Sequence, residues 1–378
     1  MFTYKFQSNI TFLLIISCFI LNSGLISNLL IFILLFNLII FNSKNYKLYF
    51  FLKLFFILIC FFSFFNSLFY IFDYNQIFKF LILIILVIFY PFKYDLSKNN
   101  IRILIFTLIY LVTLQIGNAL GITLFVNFID KFYPITENLW DNKLDSTNLI
   151  DIISNRLAGI YYNPNIMGQS LVFLYAIILD NLNINFTKKT RIYITILTFV
   201  SILLTGGRTA LITFIILLGL NHYKYIKKYI FLIIPIIVLL IAYIVTTLQL
   251  RAFDNIFNPL AEGDSGNAKL QILISYFNDF NFNSISSIFT YLFGYLNWDR
   301  QFDSDIGYLL SFIGIFGFLY LIVFLIYIYR KTDRSKRYYF VLLLITITAT
   351  IFLNLRFSIL FFLIISKFNK QLYFNDQK

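Results

Sequence analysis

Residues 308–327 read YLLSFIGIFGFLYLIVFLIY, twenty consecutive positions without a charged side chain, inside an apolar run that extends over 306–329. At 1.5 Å per residue, roughly 20 helical residues cross a hydrocarbon layer about 30 Å thick. A barrel strand would need only about ten residues of alternating polarity, and this stretch does not alternate. Backbone N–H and C=O groups in lipid must be paired within the segment, so the run predicts a membrane-spanning helix.

Working outward, eleven further apolar runs fall at roughly 8–22, 25–42, 48–71, 76–92, 101–119, 165–180, 191–205, 209–221, 229–248, 338–353 and 356–366. Twelve spans of roughly 20 residues take about 240 positions of the 378. The remaining 138 or so are too few for a large soluble domain. Composition agrees: 60% of residues are hydrophobic and 12% charged, with a mean hydropathy of +0.84, whereas a soluble domain carries about 25% charged residues. The expected fold is an all-α integral membrane protein, a polytopic bundle of about twelve transmembrane helices forming one membrane domain over 1–378. The first run follows Lys5 alone and has no small-residue cleavage site, so it reads as a retained span or signal anchor. With 49 Phe, 27 Tyr and two Trp, aromatics make up 21% of the chain, which suits a lipid-embedded surface with interfacial belts. The parallel surplus of Ile, Asn and Lys looks like A/T-rich coding, so no single aromatic carries much weight.

The net charge of +13 does not point to nucleic acid, because the basic residues are scattered between hydrophobic runs and form no stripe. Membrane orientation accounts for them better. On alternate loops one side collects 20 basic and four acidic residues; the other collects 8 basic and 13 acidic. Lys53 and Lys79 lie within runs near their ends, where they can snorkel. By the positive-inside rule this asymmetry places both termini in the cytoplasm, and a map with one span more or fewer would scramble it. Cys18 and Cys60 sit in apolar runs, so neither a disulfide framework nor a cysteine metal site is expected. No repeat at a fixed period occurs, which disfavours transporters built on internal repeats.

Two external loops stand out by length, about 120–164 and about 249–305, and they hold nearly all the polar chemistry on that side. Where the first enters a span, residues 155–169 read NRLAGIYYNPNIMGQ. Asn163 is placed to cap the helix, Pro164 wastes no donor at the first helical position, and Gly168 permits close helix packing. Together with Gly159 and Asn165 these residues describe a well-formed helix start. They are equally compatible with a site in which Arg156, beside the positive helix terminus, holds an anionic lipid headgroup. Residues 205–210, TGGRTA, form a short external turn. Gly206 and Gly207 either simply terminate a helix or also expose N–H groups in a phosphate-sized nest, with Arg208 at its mouth.

The second long loop opens with Arg251 and continues through Lys269 into 269–280, KLQILISYFNDF. There Leu270, Leu273 and Phe277 share one helical face with Tyr276 and Phe280. That pattern fits an interfacial helix, or a lid segment with only a packing role. The loop closes through Gly294, Asp303 and Asp305. An Asp-x-Asp pair can hold a divalent metal for a nucleotide sugar, but such sugars are cytoplasmic and this pair maps outside. A carboxylate able to take a proton at the low-dielectric mouth of a span is the more economical role, beside that of solvated loop acids. His222, the only histidine, maps to the cytoplasmic side, so no external histidine is available as a base or metal ligand.

The order of these motifs is similar to that of bacterial O-antigen polymerases and ligases. They are RLAGIYYNPNIMGQ at 156–169, LLTGGRTA at 203–210, the Phe293–Gly294–Tyr295 turn and DSDIGYLLSFIGIFG at 303–317. The chain most resembles the Wzy-like polysaccharide polymerase branch, over about 150–330. The resemblance implies a GT-C-like membrane glycosyltransferase that joins undecaprenyl-diphosphate-linked oligosaccharide repeat units at the outer face of the bacterial cytoplasmic membrane. The product would be an O-antigen, capsule or related surface polysaccharide, and no metal or other cofactor would be required. A chain-length regulator and a flippase would be partners; nucleic acid would not. Residue by residue, Arg156 and Arg208 would engage the diphosphate, Asp305 or Asp303 would face the acceptor hydroxyl, and Arg251 and Lys269 would assist with the anionic donor. Ligases that attach the glycan to lipid A core usually present a histidine near the span after the long loop. This chain has Asp303 to Asp305 there, which favours polymerase over ligase. The turn at Gly294 also lacks a frequent second glycine. A transporter or flippase of the same lipids would need polar groups deep in the spans, where charges are almost absent.

Overall fold

The structure is a computed structural model that describes residues 2–21, 25–42, 50–67, 74–92, 94, 96–133, 159–161, 164–222, 274, 284–294, 305–343 and 354–367. Within these residues the chain is all-helical, with twelve α-helices, one 3₁₀ helix and no β-strand. The helices are α1 (Phe2–Ile20), α2 (Leu25–Asn42), α3 (Phe50–Ser67), α4 (Tyr74–Phe89), α5 (Lys98–Ala119) and α6 (Thr123–Phe132). They continue as α7 (Pro164–Asn185), α8 (Lys188–Thr205), α9 (Arg208–Asn221), α10 (Ile285–Phe293), α11 (Asp305–Lys331) and α12 (Leu355–Lys367).

Most of these helices coincide with the apolar runs, whose length and lack of alternation suit helices and not strands. Three features differ from expectation. Helices α6 and α10 fall within the two long segments read as loops, and residues 334–343 form a 3₁₀ helix (Arg334–Leu343) where an apolar span was expected from 338. Lys53 does not snorkel: it is buried and donates from Nζ to the Tyr90 carbonyl at 3.3 Å, just past the end of α4. There it meets a helix C-terminus, whose last carbonyls lack intrahelical donors. The expected span at 229–248 and the interfacial helix at 269–280 lie outside the described residues, apart from residue 274, which is helical and exposed.

The chain divides into two compact units, one of residues 1–18, 28–95 and 260–378, the other of 19–27 and 96–259. In the first, α3 packs against α4, α10 and α11. An aromatic core joins Phe56 to Tyr320 (4.9 Å between ring centroids), Tyr90 to Phe324 (5.9 Å) and Tyr90 to Phe362 (6.1 Å). The Tyr94 hydroxyl donates to the Leu363 carbonyl at 2.9 Å.

In the second unit α7 is the central element. Its residues 167–179 are buried throughout, as expected of a helix that is apolar on all sides. Helix α8 turns Ile194, Thr198, Ser201, Ile202 and Thr205 inward at helical spacing. Ser201 Oγ donates to Gln115 Oε1 of α5, and Gln115 Nε2 returns a bond to the Ser201 carbonyl at 3.3 Å. Tyr175 and Thr195 share a hydroxyl hydrogen bond of 2.9 Å.

Among the described residues, Lys98–Asn118 and Leu309–Lys331 are long and apolar enough to cross a membrane. Shorter apolar helices occur at Phe6–Ile20, Leu29–Leu38, Lys53–Asn66, Phe80–Phe89, Pro164–Leu179 and Thr209–Asn221. The helices turn large apolar side chains outward, among them Phe61, Phe106 (68% exposed), Ile196 and Val323.

Candidate functional site

Two of the sequence motifs meet in the second unit. The turn 159–161 depends on Gly159, whose φ of +61° is one that side-chain-bearing residues avoid. A Cβ there would also press to 3.3 Å on Gln115 Cβ. The turn buries Ile160 and Tyr161, and the Tyr161 hydroxyl donates to the Phe19 carbonyl at 2.8 Å. Pro164 then opens α7, as its fixed φ and missing N–H favour.

One turn further, Gly168 lies against the α8–α9 corner: a Cβ at this position would come within 2.9 Å of Ala210 Cβ and 3.0 Å of Thr205 Oγ1. The Asn165 Oδ1 lies beside Gly207, 3.7 Å from where its Cβ would stand. Asn165 and Gly168 from the first motif are thus packed on Thr205, Gly207 and Ala210 from the second.

The corner itself is tight. Gly206 ends α8 in the left-handed conformation (φ +61°, ψ +16°) and donates its N–H to the Leu203 carbonyl at 3.0 Å. The Gly207 N–H donates to Thr205 Oγ1 at 3.3 Å. The nest expected from the two glycine N–H groups is therefore corrected: both are engaged inside the turn. What the corner presents instead is the start of α9 at Arg208, whose N-cap Gly207 supplies no side-chain cap. A helix N-terminus of this kind concentrates partial positive charge.

Near the 159–161 turn, Tyr133, which follows α6, bonds through its hydroxyl to Tyr110 at 3.0 Å. Burial first, then the Tyr110 hydrogen bond, pushes the Tyr133 phenol well above the ordinary tyrosine range, so it stays neutral.

In the first unit Asp305 is the first residue of α11. The helix it opens is broken at Gly314 (φ +66°, ψ −175°). Facing that break is Gly294 (φ +74°, ψ −178°), which ends α10. The two backbones touch: a Cβ on Gly294 would stand 2.6 Å from the Phe312 carbonyl carbon and 2.7 Å from the Ile313 nitrogen. Side chains from α3 satisfy the carbonyls at the junction. Ser63 Oγ donates to the Phe312 oxygen at 2.7 Å, and Asn66 Nδ2 donates to the Gly294 oxygen at 2.8 Å and to Thr290 Oγ1 at 3.3 Å.

Arg156, Asn163, Arg251, Lys269 and Asp303 lie outside the described residues. The sequence reading missed Ser63, Asn66, Gln115, Ser201 and Gly314. Polar side chains three apart within the phenylalanine-rich 50–67, and a glycine within the apolar 308–327, were the signals available for Ser63, Asn66 and Gly314. Among the described residues no three His, Cys, Asp or Glu side chains converge as a metal-ligand set. Comparison with family models, with curated proteins and with solved structures finds no match to this chain.

Proposed function

We propose that the chain is a polytopic bacterial inner-membrane glycosyltransferase of about twelve spans. In this reading it polymerises oligosaccharide repeat units carried on undecaprenyl diphosphate into a surface polysaccharide. The observation that carries the proposal is the packing of Asn165 and Gly168 on Thr205, Gly207 and Ala210. It sets the helix that follows Arg156 in the chain beside the start of the helix that opens with Arg208.

The membrane part of the reading is supported by the outward-facing apolar side chains, which a soluble monomer rarely presents so extensively. It is also supported by the interhelical bonds. Lys53 with Tyr90, Ser63 with Phe312, Tyr94 with Leu363, Gln115 with Ser201 and Tyr175 with Thr195 each join ends that the charge asymmetry assigns to one side.

Chemically, the diphosphate leaving group gains negative charge as its glycosidic bond breaks. Guanidinium groups of Arg156 and Arg208, with the N-terminus of α9, would stabilise that charge more in the transition state than in the ground state. Asp305, or its neighbour Asp303, would orient or deprotonate the acceptor hydroxyl. Arg251 and Lys269 would draw the anionic donor. The polar groups buried along α8 bond to their own helix, as Thr198 does to the Ile194 carbonyl at 2.7 Å, or to a packed neighbour, as Ser201 does to Gln115 of α5, which serves packing better than a transport path. Deletion of the gene followed by gel analysis of surface glycan tests the proposal: one repeat unit remains where a ladder stood, and an undisturbed ladder overturns it.

A further inference from the structure

We propose that α10 is a re-entrant helix whose apolar face is immersed in the acyl chains of the bilayer, although it belongs to a segment that the charge pattern places outside. The inference rests on α11 crossing the membrane and not on the reaction. The first charge after the apolar part of α11 is Arg330. Counting back at 1.5 Å per residue puts Gly314 about 24 Å from it, within a hydrocarbon layer about 30 Å thick. Gly294 is held against Gly314 backbone to backbone, so the C-terminal end of α10 lies at that depth.

The polar groups are paired as an immersed segment requires. The Gly294 carbonyl receives Asn66 Nδ2, and the Phe312 carbonyl receives Ser63 Oγ. Asn66 is only 8% exposed and Ser63 fully buried. Two α10 hydroxyls turn back on their own segment, Ser287 to the Ser284 carbonyl and Thr290 to the Ser286 carbonyl.

The occupant follows from continuity of surface. Ile285 (78% exposed) and Phe289 face outward from α10. Phe289 meets Phe293, and Phe293 meets Phe62 of α3 and Phe316 of α11. Through these rings the apolar stripe of Ile285, Phe289 and Phe293 runs into the apolar outer face of α11, with Ser284 and Ser286 exposed beside Ile285 at the N-terminal end of α10. Acyl chains that cover α11 therefore cover α10.

The test uses the full chain in phosphatidylethanolamine–phosphatidylglycerol vesicles. Cys18 and Cys60 are buried, so a thiol-reactive fluorophore labels the introduced cysteine, with unsubstituted protein as blank. Single variants are Ile285→Cys, Phe289→Cys, Val323→Cys as the lipid-facing reference on α11, and Lys188→Cys as the exposed reference in water. Brominated acyl chains should quench the Phe289 and Ile285 labels to within about twofold of the Val323 label, while aqueous iodide should quench them far less than the Lys188 label. Iodide quenching at Phe289 equal to that at Lys188, or quenching by neither agent, overturns the proposal if Val323 is quenched by lipid. Absence of lipid quenching at Val323 overturns it together with the membrane reading of α11.

Discussion

Replacing Gly294 by alanine tests the close backbone approach of α10 to α11 in the first unit. Its φ of +74° with ψ of −178° lies in a region occupied almost only by glycine, at a cost of about 1–3 kcal/mol for another residue. The new methyl would also meet the Phe312 carbonyl carbon at 2.6 Å and the Ile313 nitrogen at 2.7 Å. These are backbone atoms that cannot rotate aside, which adds an overpacking cost of about 1–3 kcal/mol. The sum is about 2–6 kcal/mol, a large share of the 5–15 kcal/mol that holds a typical domain together.

Gly121 is the matched control: its φ is +64°, but no atom lies within 4 Å of the position a Cβ would take. Gly121→Ala should cost only the backbone component, about 1–2 kcal/mol. Hydrogen exchange in detergent micelles reads the difference. Gly294→Ala should speed exchange of residues 285–294 at least about 20-fold, because each 1.4 kcal/mol is a factor of ten. Gly121→Ala should leave that segment unchanged. If Gly294→Ala costs no more than Gly121→Ala in thermal stability and leaves 285–294 protected, the close approach of α10 to α11 is wrong.

Arg208→Lys keeps the charge but loses the bidentate fork, so polymer length should collapse while membrane insertion stays normal; wild-type chain lengths would remove Arg208 from the site. Gly168→Ala gains helix propensity of about 1 kcal/mol, yet its methyl would stand 2.9 Å from Ala210 Cβ. It should lower transfer activity by pushing α7 off the α8–α9 corner, whereas full activity would show that the corner tolerates displacement. Burial first, then nearby Arg191, holds the His222 imidazole below the ordinary histidine value. His222 should therefore gain its proton only at a pH below that value, and an NMR titration midpoint above it would contradict the described environment.

Helix positions were legible because apolar runs such as 25–42 are too long and too little alternating for strands, and α2 spans those residues. The Pro164 start of α7 and the packing role of Gly168 were readable for similar local reasons. Helices α6 and α10 were not, since short amphipathic segments between long apolar runs resemble loops by composition alone. The Gly206–Gly207 corner shows a subtler limit. Its glycines marked the turn, but the Thr205 hydroxyl that takes the Gly207 N–H depends on how the turn closes. The α3 brace was hidden because Ser63 and Asn66 acquire their partners 249 and 228 residues away in sequence, a distance over which no local pattern carries information.

The most direct measurement of the central proposal places the purified protein in liposomes with a single polyprenyl-diphosphate-linked repeat unit. Product glycans and released polyprenyl diphosphate are then followed together. The account predicts lengthened lipid-linked glycan with one polyprenyl diphosphate freed per new glycosidic bond, and loss of both with Arg208→Lys. Movement of the intact lipid across the bilayer with no new glycosidic bond would contradict it.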